Sequence, residues 1–402
     1  MILRGCFAAL ATLALAGPLL AQEAPEPSPA TVAMRWQWLN PEVNSFTFRD
    51  ADAVFESRAV ARAGPVWELP RRDGFVLPPA RAGGHPASYD AFAEATRTNA
   101  LLVIRDGAIV FEDYRNRMAP ATRHIGFSMT KTVTAMLVGQ ALQRGEIASL
   151  DDRADKYVPE LARGGYGGVT VRHLLEMRSG AAIEERYDFG DNPSLAGRIH
   201  EAAIVLNRAR FADFAVDIAR RADPGSGFNY ATLDTAVLGW VLERATGQPI
   251  EVLMQQRIWA PLGAEADGFF LADGPPGTGR ALNGMGFNAS LRDFGRLGLL
   301  LLGDGMRGGE RILPEGWVAA MTAMKPLDPA AGFPGYGLQT WQVDGEPGAF
   351  AAVGLAGQMI YVHPASRTVI VKLSYWLPVP DETTVPDTLA FFKAIALVRA
   401  PR

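Results

Sequence analysis

Strand-forming sequence stands at two widely separated places in this 402-residue chain, and that separation restricts the fold more than any other feature. Leu101-Leu102-Val103-Ile104 and Ile109-Val110-Phe111 flank Asp106-Gly107, a dipeptide that tolerates the positive φ angles of a tight turn and so predicts a β-hairpin. Strand patterns return near the other end, in Phe350–Val353, Met359–Val362 and Thr368–Leu373, spaced closely enough for an antiparallel meander. Between them, the stretch from about Leu150 to Gly279 reads mainly helical, most clearly over Val171–Met177 and Leu233–Ala245. One further helix is predicted from Ser128 to about Arg144, with Gly145 as its stop, and another from about Asp387 to Val398. The expectation is an α/β chain of the α+β type: one antiparallel sheet built from both ends, flanked by helices, with a mainly helical lobe inserted. Residues 87–402 then form one domain with the insertion at about 150–280. Residues 22–86 are rich in proline, alanine and arginine but carry Trp36, Trp38, Phe46, Phe48 and Trp67, which argues for an extended segment packed over that domain.

The first residues carry a single positive side chain, Arg4, followed by an alanine- and leucine-rich run from Gly5 to Leu20. Interrupted by Pro18 and shorter than the ~20 apolar residues that span a bilayer, it reads as a signal peptide over residues 1–21. The expected product is periplasmic or secreted, without a stable membrane anchor. The one cysteine, Cys6, would leave with that segment, which excludes disulfides, thiol nucleophiles and cysteine-bound metals from the mature chain. A hydrophobic content of 48% supports one large core or two lobes sharing a cleft. A net charge of −4 with no basic run gives no footprint for nucleic acid.

Ser128-Met129-Thr130-Lys131 carries the strongest chemical signal. At i and i+3 the two side chains share a helix face, so the lysine nitrogen reaches the serine hydroxyl without any long-range folding event. The position at a first helical turn also favours developing negative charge. The plain alternative is a capping serine followed by a solvated lysine, the commoner use of such residues. Tyr230 follows the break Pro224-Gly225-Ser226-Gly227 and precedes the apolar run Leu233, Val237, Leu238, Trp240 and Val241, so it stands where a cleft between lobes would open. To act as a base near neutrality its pKa must fall from about 10 by ~3 units. One cation ~4 Å away supplies roughly that much, and Lys131 is the available cation.

These pieces resemble the serine β-lactamase-fold hydrolases, and among them the 6-aminohexanoate-dimer hydrolases and related carboxylesterases. The resemblance rests on Ser128-Met129-Thr130-Lys131, the approach Pro224–Tyr230, and the runs Asp234–Gly247, Val171–Gly180 and Gly354-Leu355-Ala356-Gly357-Gln358, and it covers about Ala87 to the C-terminus. It implies the β-lactamase/transpeptidase-like fold and a cofactor-free enzyme that cleaves small amides or esters through an acyl-enzyme on Ser128. Lys131 and Tyr230 would share the proton work, without a choice between them as the resting base. An oxyanion hole would use the N–H groups of Ser128 and Leu355. Tyr187 is similar to the tyrosine that contacts the leaving amine in the nylon-oligomer enzymes. Trp341 is either a cleft-lining or a core residue.

Two departures weigh against antibiotic hydrolysis. Thr232 stands where β-lactamases and penicillin-binding proteins of this fold have asparagine, and Ala352-Val353-Gly354 replaces their Lys-Thr-Gly or His-Thr-Gly. The missing cation weakens recognition of a β-lactam or peptide carboxylate. A class C-like β-lactamase or D-alanyl-D-alanine carboxypeptidase is therefore the second reading, and a noncatalytic binding or regulatory module the third. The five histidines are scattered without ligand spacing, so no metal site is expected. No serine lies in Gly-x-Ser-x-Gly, and Gly274–Gly279 lacks the Gly-Lys-Ser/Thr ending of a phosphate loop.

Overall fold

The computed structural model describes residues 26–343, 348–377 and 381–398; the segment read as a signal peptide lies outside them. The hairpin forms as Thr98–Arg105 and Ala108–Tyr114, with Asp106 and Gly107 at φ 49° and 77° in the turn. The meander forms as Phe350–Gly354, Gln358–His363 and Thr368–Ser374. The last of these pairs antiparallel with Thr98–Arg105, Val371 opposite Leu102 and Ile370 opposite Val103, which closes the two distant regions into one sheet. Short strands at Trp341–Gln342, Gly335–Tyr336 and Lys325–Pro326 extend it to eight, all antiparallel.

Both faces of this sheet are covered, which explains why its strands read as continuous apolar runs. Side chains alternate across a strand. Leu102, Ile104, Val369 and Val371 therefore face the main core with Phe294, Leu297 and Leu300 of the helix Leu291–Leu302, while Leu101, Val103 and Ile370 meet Phe391, Phe392 and Ile395 of the closing helix Thr384–Leu397. Gly298 permits the first packing. A Cβ there would lie 2.5 Å from Val369 and 2.9 Å from Ile360, so a larger residue would push helix and sheet apart.

The helix predicted at Ser128 spans Met129–Gln143 and is buried on every side from Met129 to Ala141, rather than on one stripe. Its polar residues survive there because each finds a partner. Thr132 and Thr134 donate to the carbonyls of Gln339 and Asn283, both at 2.7 Å, and the Thr130 hydroxyl accepts from the Phe287 N–H at 3.0 Å.

Two features differ from the sequence expectation. Residues 22–86 are not simply extended: Pro29–Gln37 is a helix capped by the Ser28 hydroxyl, and Trp38, Phe48 and Phe55 enter the main core. A second sheet of four strands, in the order Ser57–Val60, Gly268–Leu271, Phe287–Ala289, His124–Ile125, lies under the start of the Met129–Gln143 helix. Its strands run two to four residues, too short for alternation to show in sequence, and one lies within the stretch read as helical. The inserted region carries helices at Val171–Leu175, Leu195–His200, Thr232–Thr246 and Ile250–Met254, with shorter helical turns between them. Among the described residues no helix is long and apolar enough to cross a membrane.

Candidate active site

Ser128 stands at the N-cap of its helix, but its side chain makes no capping bond. Its hydroxyl instead meets the Lys131 Nζ at 2.9 Å, so the common structural role for such a serine is not the one observed. Phe127, immediately before it, holds a φ of 44°, a conformation that costs a non-glycine residue energy and persists only when its surroundings impose it. Here Trp38 and Phe48 clamp the Phe127 ring at centroid distances of 5.3 and 4.9 Å. The N-terminal segment thus fixes the backbone that presents Ser128.

Lys131 is 1% exposed and lies at the centre of a small polar cluster. Besides Ser128, its Nζ reaches the Thr232 hydroxyl at 2.9 Å and the Gly284 carbonyl at 2.7 Å. Burial lowers its pKa to about 8, an effect that the nearby Glu185 opposes. Glu185 was not singled out from sequence, yet it organises one side of the site. It accepts from the Thr232 hydroxyl at 2.5 Å, from the Thr232 N–H at 2.8 Å and from the Tyr187 hydroxyl at 2.6 Å. Thr232 therefore links Lys131 to a carboxylate through one hydroxyl. Tyr187 sits on the same carboxylate; the residue is 37% exposed, while burial and Glu185 together raise the pKa of its hydroxyl.

Tyr230 precedes the helix Thr232–Thr246 by two residues and is half-buried. The Lys131 nitrogen lies over its ring, 5.0 Å from the centroid. That geometry alters the expected electrostatics: burial raises the phenol pKa, the Ser128 hydroxyl bond only partly opposes this, and Glu185 adds to it. The cation that was to depress Tyr230 gives up its own proton more readily instead. Trp341 tilts against Tyr230 at 5.3 Å and also meets Tyr336 and Phe333 at 4.6 and 4.9 Å, so it is a half-buried wall residue.

The late strand completes the arrangement. Gly354 passes so close to the serine's backbone that a Cβ there would lie 2.2 Å from the Gly126 carbonyl. Leu355 follows with its side chain 49% exposed. The turn after it, with Ala356 at φ 57°, is pinned by the Gln358 amide, which donates to the carbonyls of Leu355, Ala356 and Ser374 at 3.1, 3.2 and 2.8 Å. Neither the Ser128 nor the Leu355 N–H has a backbone partner among the described residues. Of the residues selected from sequence, Ser128, Lys131 and Tyr230 are in direct contact, Trp341 packs on Tyr230, and Tyr187 joins them through Glu185 and Thr232.

Residues 90–392 match the sequence model of the family described as Beta-lactamase. The chain belongs to the β-lactamase family. By that membership it is a serine hydrolase. It is 32% identical over 301 residues to the 6-aminohexanoate-dimer hydrolase of Paenarthrobacter ureafaciens, covering 72% of this chain and 75% of that one. It is also 32% identical over 217 residues to esterase EstB of Burkholderia gladioli, covering 46% and 52% of the two chains. A solved Bacillus anthracis structure, provisionally assigned as a 6-aminohexanoate-dimer hydrolase, superposes with a TM-score of 0.81 over 92% of this chain and 97% of its own; at 23% identity it shows a shared fold.

Proposed function

We propose that this β-lactamase-family member cleaves small amides or esters through an acyl-enzyme on Ser128. The observation that carries the reading is the buried Lys131 nitrogen 2.9 Å from the Ser128 hydroxyl, with its pKa lowered to about 8. A neutral amine at that distance accepts the serine proton as Oγ bonds to the substrate carbonyl carbon. The carbonyl electron pair moves to oxygen, facing the N–H groups of Ser128 and Leu355. As the tetrahedral intermediate collapses, the proton passes to the departing amine or alcohol, with the Tyr230 phenol, kept protonated by burial, in the relay. Water then repeats the sequence on the acyl-enzyme and regenerates Ser128.

Thr232 and Glu185 serve the lysine in this scheme. Glu185 balances the ammonium that forms transiently, while the Thr232 hydroxyl fixes the amine against Ser128. The relatives named above support amide and ester substrates. The strand Phe350–Gly354 carries no charged side chain, which favours these over β-lactams or peptide carboxylates. The alanine- and leucine-rich run Gly5–Leu20 supports export.

Hydrolysis of p-nitrophenyl acyl esters and of 6-aminohexanoate dimer, set beside nitrocefin turnover, tests the reading. Ester or amide turnover that disappears in Ser128→Ala is the expected result. Nitrocefin as the preferred substrate would return the β-lactamase reading, and no turnover of any substrate would favour a binding module.

A further inference from the structure

The reaction scheme leaves one part of the cleft unused. Trp36, Tyr187 and Phe189 remain 37%, 37% and 42% exposed, although aromatic side chains of this size have much to gain from burial. They are not scattered. Trp36 meets Phe189 edge-on at 5.2 Å, and Trp36, Tyr187 and Phe189 lie 6.5, 5.9 and 5.6 Å from one ring, His200. This cluster joins the reacting groups at two points. Trp38 stacks on His200 at 6.4 Å and meets Phe127, the residue before Ser128, at 5.3 Å. On the other side the Tyr187 hydroxyl bonds to Glu185, which holds Thr232 and, through it, Lys131.

His200 supplies a second and independent observation. It is 4% exposed, yet its side chain makes no hydrogen bond among the described residues. Burial lowers its pKa to about 4, so near neutrality it is an uncharged ring with one N–H free to donate. The charges next to the aromatics in sequence are paired elsewhere: Arg186 with Asp188 at 2.5 Å, and Glu185 with Thr232 and Tyr187. An exposed aromatic cluster of neutral character beside a nucleophile is a ligand surface.

We propose that Trp36, Tyr187, Phe189 and His200 form a subsite for an uncharged apolar portion of the substrate, an aryl or branched alkyl group, with His200 able to donate one hydrogen bond to it. The proposal rests on the hydrolase reading for its place beside Ser128, but its existence as a binding surface does not. Trp36 lies in the N-terminal segment, before residue 90, where the family match begins.

Trp36→Ala and Phe189→Ala are suitable variants because both rings are already partly exposed. Hydrolysis of methyl acetate, phenyl acetate and methyl benzoate, followed by pH-stat, separates a leaving-group subsite from an acyl subsite. Each variant is expected to lose about tenfold or more in kcat/KM on phenyl acetate or on methyl benzoate, and less than about twofold on methyl acetate. A parallel titration of the Ser128→Ala protein with acetanilide and acetamide reads binding without turnover; acetanilide is expected to bind more tightly and to lose that advantage when Trp36→Ala is added. Equal losses on all three esters, or no preference for acetanilide that depends on Trp36, would overturn the subsite. If no ester is turned over but the Trp36-dependent acetanilide binding is present, the subsite stands and the hydrolase reading falls.

Discussion

Two lysines in this protein are almost fully buried, and both have a serine hydroxyl beside them. Lys131, 1% exposed, meets Ser128 from three residues along a helix; Lys372, 0% exposed, bonds to Ser374 from two residues along a strand. Burial lowers the pKa of both. Their surroundings differ. Lys372 lies 5.3 and 5.9 Å from the ring centroids of Trp376 and Phe92, bonds to the Thr96 carbonyl at 2.9 Å, and shares a fully buried serine. Lys131 has Glu185 within electrostatic reach and a serine half open to the cleft. A lysine–serine pair is thus a structural motif in one place and the core of a candidate site in the other. What separates them is access and a carboxylate.

That contrast can be broken most forcefully at the lysines themselves. Lys131→Met is expected to lower kcat/KM by about 10³-fold or more, the scale of a lost general base, while Lys372→Met keeps activity within about twofold. Comparable losses in both would dissolve the distinction. Tyr230→Phe should cost about 10²-fold by removing a proton donor next to Ser128, with substrate binding less affected; steady-state kinetics with the same ester reads both parameters. Glu185→Gln acts on the difference directly. Removing the charge that supports the Lys131 ammonium lowers the lysine pKa further, so the rising limb of kcat/KM moves to lower pH. A limb that stays in place would take Glu185 out of the cluster.

The smallest expected effect is on stability. Each buried lysine releases its proton more easily in the fold than in the unfolded chain, where the ordinary value is 10.5. The unfolded chain therefore binds the extra proton, and folding stability rises with pH up to about 10.5. Lys372→Met should weaken that rise and leave the melting temperature at pH 7 unchanged or raised by a few degrees, since an apolar side chain of similar volume often replaces a buried charge without loss. A large fall on thermal melting would show instead that the bonds to Thr96 and Ser374 are worth more than the desolvation they offset.

Sequence disclosed the parts of this site that are local or strongly patterned. Ser128 and Lys131 are one helical turn apart, Asp106-Gly107 has the chemistry of its turn, and the three late strands are long enough to show. Glu185 gave no such signal, because its partners Thr232 and Lys131 lie far away in the chain and only the fold joins them. Thr232 stands in sequence as the residue replacing a family asparagine, but its bridging role depends on the distant Glu185 carboxylate. Spacing leaves the resting base open between Lys131 and Tyr230, because it cannot say whether a cation meets the phenol hydroxyl or the ring face. The helix Pro29–Gln37 has a sound start in Ser28-Pro29, but it stands in a proline-rich context that hides it in the sequence.

The central claim is that Ser128 reacts because Lys131 is a buried base with a pKa of about 8. The most direct measurement is the rate of covalent labelling by a fluorophosphonate across pH 6–10, with the labelled peptide identified by mass spectrometry. The account predicts modification at Ser128, with a rate that rises about tenfold per pH unit and levels off above about pH 8. Label on another residue, or a rate on Ser128 that does not change between pH 6 and 9, would contradict it.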